Sequence, residues 1–383
     1  MSSNRSAFMI ALMHELAGSM TNCYGSDNWD AERFGPYKST LKSSLVAKLN
    51  ALLAGRVAIV PLANAPSVDD WARIEGTFDG LSFFYDLLAD EQSKATLVKL
   101  ISYRLLGPRK VKLPLNTTAY WSQREEMRRL IKDRDAIPLK FSNAALNHLV
   151  LEPIGYPIEL YYLPSGVVST FVLKQYEYNK TSPPVKVQPG DYVIDAGGCW
   201  GDTALYFAHE AGSEGRVITF EFAPENLEVF NRNLEMNPEL ASRIELDQRA
   251  LWNVSGERID YFFNGPGTSL DQTRHNNNGR ETLQVSTISI DELVKEKNLP
   301  RVNFIKMDIE GAELNALKGA EETLRTFKPQ LAISLYHNES DLTEIPEFIN
   351  SLRLGYEFFL DHFTIHNEET VLFARPLSAG YAD

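Results

Sequence analysis

Residues 192–221 constrain the fold of this chain more than any other segment, because they predict a strand, a glycine-rich turn, a helix and a second strand in immediate succession. The first strand, Tyr192–Ala196, is short and apolar. The second strand, at residues 217–220, is followed by the acid Glu221. In an open α/β sheet an acid at this position reaches the hydroxyl groups of a ribose, so the segment predicts half of a nucleotide site.

The spacing of the glycines distinguishes between classes of nucleotide. A dinucleotide-binding turn has the spacing G-x-G-x-x-G, but with Gly198 and Gly201 in its last two positions the first position holds Ala196. The chain instead has D-x-G-x-x-x-G, from Asp195 through Gly197 to Gly201. This pattern resembles the first motif of class I methyltransferases, which bind S-adenosylmethionine. The alternative is a plain strand-to-helix turn in which the glycines serve only the backbone.

Strands and helices continue to alternate to the end of the chain, as a doubly wound sheet requires. We predict helices at 224–237, 311–326 and 345–352, and strands at 244–251, 303–308, 331–336, 356–363 and 370–374. The last two strands are joined by the turn 366–369, so they form an antiparallel hairpin. Such a hairpin in a mostly parallel sheet is typical of methyltransferases, and a dehydrogenase Rossmann domain lacks it. We therefore predict an α/β fold with the seven-stranded, Rossmann-like sheet of a class I methyltransferase.

The resemblance becomes more specific at residues 302–320, VNFIKMDIEGAELNALKGA. This segment is similar to the signature of the FkbM family of S-adenosylmethionine-dependent O-methyltransferases. The preceding STISIDELV, residues 286–294, matches the segment that the family has just before it, and the resemblance extends over residues 155–376. The chain departs from many members in the fifth strand, where LAISLYHN at 331–338 lacks their acidic residue.

This resemblance implies transfer of a methyl group from S-adenosylmethionine to a hydroxyl group of a sugar, a polysaccharide precursor or a polyketide macrocycle. We expect a small-molecule or glycan acceptor, with a carbohydrate as the first choice. Two other classes stay open. A nicotinamide-dependent oxidoreductase would use the same strand-helix-strand unit and the same Glu221, although the missing first glycine and the terminal hairpin count against it. The second class is a protein that keeps the fold and binds the cofactor but has lost catalytic activity.

The resemblance also implies which residues contact the cofactor. Asp195 would hold the cationic methionine end, directly or through water, and Glu221 would hold the ribose. The adenine would lie between Phe222 and residues 247–251. Within this range, Asp247 either accepts a hydrogen bond from the exocyclic amine of adenine or is a solvated acid. Thr203 either bonds the ligand or helps to begin its helix. The predicted cofactor contacts are Asp195, Gly197, Gly198, Gly201, Thr203, Glu221, Phe222, Asp247 and Ala250.

Methyl transfer from a sulfonium is an in-line displacement, so much of the catalysis comes from holding the acceptor oxygen on the line of the S–CH3 bond. A base that removes the hydroxyl proton typically adds about 10²–10⁴-fold. Because the carboxyl ends of parallel strands meet in one crevice, we predict that His337 is the base and that Asp308 anchors the acceptor, with Asp308 as the alternative base. His362 is a third candidate. For both histidines, a structural role at a strand end is the alternative.

Three acids after the fourth strand, Asp308, Glu310 and Glu313, also suggest a metal site. Hard oxygen ligands suit Mg²⁺, and Asp308 would combine with His337 or Asn338. We take Asp308, Glu310 and His337 as the candidate ligands. The alternative is that Glu310 and Glu313 lie in the first turn of a helix, where acids satisfy free N–H groups and complement the helix dipole.

A length of 383 residues predicts two domains, which we place at 1–150 and 151–383. The first is mainly helical, with helical patterns at 41–53 and 81–106, and would bind the acceptor or mediate oligomerisation. The second begins with a hairpin at 154–178 and binds the cofactor. The net charge of −13 argues against nonspecific binding of nucleic acid.

Residues 6–18 predict an amphipathic helix rather than a signal peptide, because His14 and Glu15 interrupt the apolar run. This helix would dock on its own domain or on a second copy, so a homodimer through the N-terminal domain is one expectation. The sequence has no run of 18 apolar residues that could span a bilayer. We expect a cytoplasmic location, where S-adenosylmethionine is made.

Residues 101–140 contain ten basic and four acidic residues, so they carry +6 in a chain whose total is −13. This segment would hold the phosphates of a nucleotide-sugar or a lipid-linked glycan, or it is a solvated helix face whose basic residues pair with glutamates. The loops at 264–268 and 275–280 are predicted to lie over the site as a lid or an acceptor wall, unless they are passive surface loops.

Overall fold

The computed structural model describes residues 5–38, 68–139, 144–270 and 282–377. The predicted helix at 41–53 and the predicted loop at 275–280 lie outside the described residues.

The described helices and strands follow one another in an order that matches the predicted alternation from residue 192 onward. The helices are α1 (Arg5–Met20), α2 (Ala31–Phe34), α3 (Val68–Leu87), α4 (Glu91–Leu106), α5 (Thr118–Met127), α6 (Pro164–Val167), α7 (Asp202–Ala211), α8 (Pro224–Met236), α9 (Pro238–Ala241), α10 (Ile290–Glu296), α11 (Glu313–Lys318), α12 (Glu321–Phe327) and α13 (Asp341–Ser351). The strands are β1 (Ile131–Pro138), β2 (Ala145–Val150), β3 (Glu159–Tyr162), β4 (Tyr192–Ala196), β5 (Arg216–Phe220), β6 (Ile244–Asp247), β7 (Ala250–Leu251), β8 (Arg258–Tyr261), β9 (Leu283–Ile288), β10 (Phe304–Met307), β11 (Gln330–Ser334), β12 (Tyr356–His362) and β13 (Thr370–Pro376).

The central sheet has seven strands in the order β12-β13-β11-β10-β4-β5-β6. The pairs from β11 to β6 are parallel, and β13 is inserted antiparallel between β11 and β12. This arrangement confirms the predicted class I methyltransferase sheet with its terminal hairpin. The predicted strand at 244–251 is divided, because β6 ends at Asp247 and β7 joins a small separate sheet with β8 and β9.

The register of the central strands brings three loops to one edge of the sheet. Met307 at the end of β10 lies opposite Ala196 at the end of β4, and Ala196 lies opposite Phe220 at the end of β5. The residues that follow, Asp308, Gly197 and Glu221, therefore begin neighbouring loops. Ligands of open α/β sheets bind at this edge.

The predicted helix at 311–326 is two helices, α11 and α12. Glu310 and Gly311 both have left-handed backbone angles, with φ of 55° and 98°, so the helix begins only at Glu313. A break follows at Gly319, where a β-carbon would lie 2.2 Å from the carbonyl oxygen of Trp252. Close backbone packing thus interrupts a segment whose apolar spacing indicated one helix.

The N-terminal helices pack on one face of the central sheet. Phe8, Leu12 and Leu16 of α1 are buried, as the amphipathic pattern predicted. They belong to the same apolar core as Ile194 and Ile305 of the central strands, and α4 contacts β12. These helices therefore bury apolar surface of the sheet itself.

The segment around residue 150 differs from the prediction. β2 pairs with both β1 and β3, so a three-stranded sheet crosses the predicted domain boundary. The predicted hairpin at 154–178 is wrong, because α6 begins at Pro164, and a π-helical turn, Val168–Val172, follows. Proline suits the first turn of a helix, where its missing N–H is no loss. The division into domains at 1–150 and 151–383 stays a prediction.

The basic segment at 101–140 is partly neutralised by ion pairs. Arg124 pairs with Asp30 at 2.5 Å, and both side chains are buried. Lys132 pairs with Glu159 at 2.5 Å. These contacts favour the ion-paired alternative over the phosphate-binding one. Within the described ranges, no helix is both long and apolar enough to cross a bilayer.

Candidate functional site

A cleft lies at the edge of the sheet where the loops after β4, β5 and β10 meet. The predicted site residues that line it are Gly197, Glu221, Phe222, Ala250, Asp308 and Glu310. Gly265, Pro266 and Thr268 also line the cleft, so the loop at 264–268 lies beside the site as predicted. The cleft therefore unites residues that are separated by more than 100 positions in the sequence.

The glycine turn after β4 is shaped by close backbone contacts. Gly197 has a φ of 93°, and a β-carbon on it would lie 2.0 Å from the carbonyl oxygen of Asp308. Gly201 has a φ of 85°, and a β-carbon on it would lie 3.1 Å from the ring of Phe230. A side chain at position 197 would force the loops after β4 and β10 apart, so glycine is required there.

Asp195 does not line the cleft. Its side chain is fully buried, with Oδ1 3.0 Å from Nζ of Lys306. Its Oδ2 accepts hydrogen bonds from the hydroxyls of Thr203, at 2.9 Å, and Thr219, at 3.0 Å. Lys306 also donates to the carbonyl oxygens of Ala196 and Gly197, at 3.1 and 2.6 Å. Asp195 and Thr203 thus hold the turn from beneath, and a direct contact with the cofactor stays an untested prediction.

Glu221 is oriented by three donors. Its Oε1 accepts from the N–H groups of Phe222 and Ala223, both at 2.7 Å, and its Oε2 accepts from the amide of Asn226 at 3.0 Å. Burial raises the pKa of this carboxyl to about 7 against the effect of these bonds. The amide oxygen of Asn226 is buried and has no hydrogen-bond partner among the described residues. An acceptor pair is therefore available where a ribose would donate two hydroxyl groups.

Part of the cleft wall is apolar. The ring of Phe222 lies edge-on to Tyr261, with centroids 4.9 Å apart, and Ala250 and Leu251 lie nearby in the cleft wall. Asp247 does not line the cleft and forms an ion pair with Arg249 at 2.6 Å. Although burial opposes it, Arg249 holds the pKa of Asp247 below its usual value. The geometry favours an ion-paired role for Asp247 over a bond to adenine.

Asp308 directly follows β10, at the edge of the sheet where the cleft lies. Its Oδ2 accepts from the hydroxyl of Tyr176 at 2.8 Å, and its Oδ1 accepts from Tyr336 at 2.9 Å. Burial alone would raise the pKa of Asp308, but the charges of His337 and Lys306 and the two hydroxyls hold it below its usual value. Asp308 is therefore an ionised, fixed acceptor of hydrogen bonds.

His337 is held among three carboxylates. Its Nδ1 lies 2.8 Å from Glu313, and its Nε2 lies 3.3 Å from Asp308 and 3.4 Å from Glu310. Although burial opposes it, Glu313 and Glu310 hold the pKa of His337 well above its usual range. An imidazole that keeps its proton at neutral pH is a poor base, so this geometry disfavours the base role that the sequence predicted for His337.

Glu313 satisfies free backbone N–H groups, which was the structural alternative to metal binding. Its two carboxylate oxygens accept from the N–H groups of Ile309 and Gly311, at 2.8 and 3.0 Å, in the turn before α11. Glu310 lies in that turn rather than in a helix, and its side chain is one quarter exposed. Asn338 donates to Asp341 and to the carbonyl oxygen of Gly311, so its amide group has partners other than Asp308.

His362 does not reach the cleft. It is buried within the terminal hairpin, and its Nδ1 lies 2.9 Å from the hydroxyl of Thr370. Burial lowers its pKa to about 3, so the ring is neutral. The structural alternative for His362 is the better account.

Glu369, in the turn of the terminal hairpin, was not predicted as a site residue. Its Oε2 accepts from the side chain of Gln175 at 3.1 Å. Burial and the nearby charge of Asp308 raise its pKa to about 7. The sequence signal was present, since a turn at 366–369 was expected, but only the fold shows that this turn faces Asp308.

Comparison with known proteins agrees with this geometry. Residues 187–358 match the methyltransferase FkbM domain. Methyltransferase sdnD of Sordaria araneosa is 26% identical over 190 residues, which cover 42% of this chain and 73% of that protein. The hexuronic acid methyltransferase AglP of Haloferax volcanii is 24% identical over 145 residues, covering 38% of this chain and 57% of that protein.

Among solved structures, methyltransferase FkbM from Methylobacillus flagellatus KT is similar to this chain with a TM-score of 0.50 and 22% identity. The similarity covers 80% of this chain, which spans only 60% of that protein's length. At this identity the likeness shows the fold alone. The matched domain, the relatives and the sheet with its glycine turn agree, and residues 187–358 of this chain form a domain of the FkbM methyltransferase family.

Proposed function

We propose that this protein is an S-adenosylmethionine-dependent O-methyltransferase that acts on a hydroxyl group of a sugar or glycan precursor. The observation that carries the proposal is the acceptor pair of Glu221 and Asn226 beside the glycine turn, in a cleft at the carboxyl edge of a methyltransferase sheet. The hexuronic acid methyltransferase among the relatives supports a carbohydrate acceptor.

The residues of the cleft fit the three parts of S-adenosylmethionine. Glu221 and the unpaired amide oxygen of Asn226 would accept from the two ribose hydroxyls. Phe222 and Ala250 offer the apolar walls that an adenine ring needs. The turn at Gly197 presents backbone to the methionine end, where a side chain would leave no room.

S-adenosylmethionine supplies a methyl group on a sulfonium, whose leaving group departs neutral. The protein's part is to align the acceptor oxygen and remove its proton. Asp308 is fixed by Tyr176 and Tyr336, so its carboxylate can anchor an acceptor hydroxyl beside the cleft. Glu369 has a pKa of about 7, the range in which a carboxylate both exists at neutral pH and accepts a proton efficiently. We propose that Glu369, which lies close enough to Asp308 for the two charges to interact, removes the proton in place of His337.

Calorimetric titration with S-adenosylhomocysteine tests the cofactor, with NAD⁺ and NADP⁺ as controls. We expect micromolar binding of S-adenosylhomocysteine alone, weakened at least tenfold in Glu221→Ala and in Asn226→Ala. Glu228→Ala, an exposed acid on the same helix α8, is the matched control and should bind normally. Binding of a nicotinamide dinucleotide instead would favour the oxidoreductase alternative and overturn the proposal.

Transfer of a radiolabelled methyl group from S-adenosylmethionine to methyl hexosides and methyl hexuronosides tests the acceptor class. An ether-linked methyl group in the product, located by NMR, is the expected result. Cofactor binding with no transfer to any hydroxyl compound would favour a binding protein without catalysis.

The cytoplasmic location and the homodimer stay predictions. Met9, Ile10 and Met13 of α1 are exposed, so light scattering of the purified protein and of a Met9→Ser, Ile10→Ser, Met13→Ser variant tests the dimer. A dimer that the substitutions leave intact would not be formed through this helix face.

A further inference from the structure

The ring of His337 has one bonded nitrogen and one that lacks a hydrogen-bond partner among the described residues. Its Nδ1 lies 2.8 Å from Glu313, whose carboxylate is itself fixed by two backbone N–H groups. Its Nε2 is buried in a side chain that is only 3% exposed and makes no satisfactory hydrogen bond. A buried nitrogen without a partner normally costs free energy, so it calls for an explanation.

The position of Nε2 offers an explanation for its missing hydrogen-bond partner, because this nitrogen faces two carboxylates. Nε2 lies 3.3 Å from Oδ1 of Asp308 and 3.4 Å from Oε1 of Glu310. Donor atoms that share one ion at about 2.1 Å from each lie about 3.0–3.4 Å apart.

We propose that Nε2 of His337 and the carboxylates of Asp308 and Glu310 bind one divalent transition-metal ion, with Glu313 as a positioning residue. Glu313 is not assigned as a ligand, because it bonds the other ring nitrogen, Nδ1, through an oxygen that also accepts the N–H of Ile309. On binding the ion, Nε2 would give up its proton, and the bond from Nδ1–H to Glu313 would keep the ring tautomer whose Nε2 lone pair faces Asp308 and Glu310. This is the usual arrangement behind a metal-binding histidine.

The charge of the cluster and its donor types indicate which ion would bind. Three carboxyl groups surround one imidazole, so even a protonated ring leaves the cluster with net negative charge. One nitrogen and two oxygen donors suit Mn²⁺, Fe²⁺ or Zn²⁺. Mg²⁺ prefers oxygen ligands alone, so the magnesium ion that the sequence suggested fits these residues poorly.

The place of this centre in the reaction rests on the proposed function, although metal binding itself does not. Asp308 and Glu310 line the cofactor cleft, so the ion would lie beside the acceptor. A bound divalent ion lowers the pKa of a coordinated hydroxyl group.

Metal binding can be measured without cofactor or acceptor. The full-length protein, treated with a chelator and then desalted, is titrated with Mn²⁺ under electron paramagnetic resonance and with Co²⁺ under visible absorption. We expect one ion per chain. Binding should weaken at least 100-fold in His337→Ala and Glu310→Gln, and 10–100-fold in Glu313→Gln, as outer-shell partners usually do.

Glu344→Gln, which changes an exposed carboxylate on α13, is the matched control and should bind normally. Glu310→Gln guards against misfolding, because its side chain is partly exposed, and circular dichroism checks each variant. Absence of a bound ion in the wild type, or binding that survives both ligand substitutions, overturns the proposal. S-adenosylhomocysteine titration of the same samples separates this result from the cofactor assignment.

Discussion

The ion pair between Lys306 and Asp195 provides a test of whether Asp195 supports the glycine turn or holds the cofactor. Both side chains are at most 1% exposed, so each charge depends on the other. Lys306→Met should lower the free energy of unfolding by about 3–5 kcal/mol, because it leaves a buried carboxylate unpaired. It also removes donors from the carbonyl oxygens of Ala196 and Gly197.

The double variant Lys306→Met, Asp195→Asn should recover part of this loss. An asparagine can still accept from the hydroxyls of Thr203 and Thr219, and no charge then remains buried. We expect a residual loss of about 1–3 kcal/mol from the orphaned carbonyl oxygens. Urea unfolding of the wild type, both single variants and the double variant measures the coupling.

Calorimetry on the folded double variant decides the role of Asp195. If Asp195 acts only beneath the turn, S-adenosylhomocysteine should bind within about threefold of the wild type, since about 0.6 kcal/mol covers such a change. Equal losses of stability in Lys306→Met and the double variant would refute the ion-pair reasoning. A 100-fold loss of affinity in a stably folded double variant would instead support the contact with the methionine end.

Three further predictions concern the cleft. Ribose hydroxyls donate to an ionised carboxylate, and the pKa of Glu221 is about 7. Affinity for S-adenosylhomocysteine should therefore rise from pH 6 to 8, by up to about tenfold per pH unit below pH 7. This pH dependence should disappear in Glu221→Gln. Gly197→Ala should weaken that affinity at least tenfold, whereas Gly212→Ala, which has a positive φ but open space around a β-carbon, should cost only about 1–2 kcal/mol of stability and bind normally. Once the transfer screen identifies an acceptor, Glu369→Gln should lower turnover about 10²–10⁴-fold and remove the rise in rate near pH 7. The control variant Glu368→Gln should change neither the turnover nor its pH dependence.

The fold could be predicted from the sequence because its signals are local. The glycine turn, the strands that end in acids and the short turn at 366–369 each follow from a few adjacent residues, and together they indicated the sheet with its terminal hairpin. Predictions failed where distant backbone decides the outcome. The helix predicted at 311–326 breaks at Gly319, since the carbonyl oxygen of Trp252 occupies the space of a β-carbon.

The site could be predicted only in part, for a related reason. A sequence shows which acids follow a strand but not which partners they have. Asp247 and Asp195 were predicted to contact the cofactor, and only the structure shows that Arg249 and Lys306 pair with them. The unpaired amide oxygen of Asn226 is visible only after the helix α8 is placed against the cleft.

Close packing between the loops after β4 and β10 joins the cofactor turn to the acid cluster. The N–H of Asp308 donates to the carbonyl oxygen of Ala196 at 3.0 Å, and the carbonyl oxygen of Asp308 fills the space above Gly197. Densely packed backbone transmits small displacements, so a variant that shifts Asp308 should also disturb the turn. Loss of cofactor affinity in a His337 variant would therefore not by itself place His337 in the cofactor site. Glu310→Gln changes a more exposed turn beyond Asp308, so it separates loss of metal binding from disturbance of the cofactor turn.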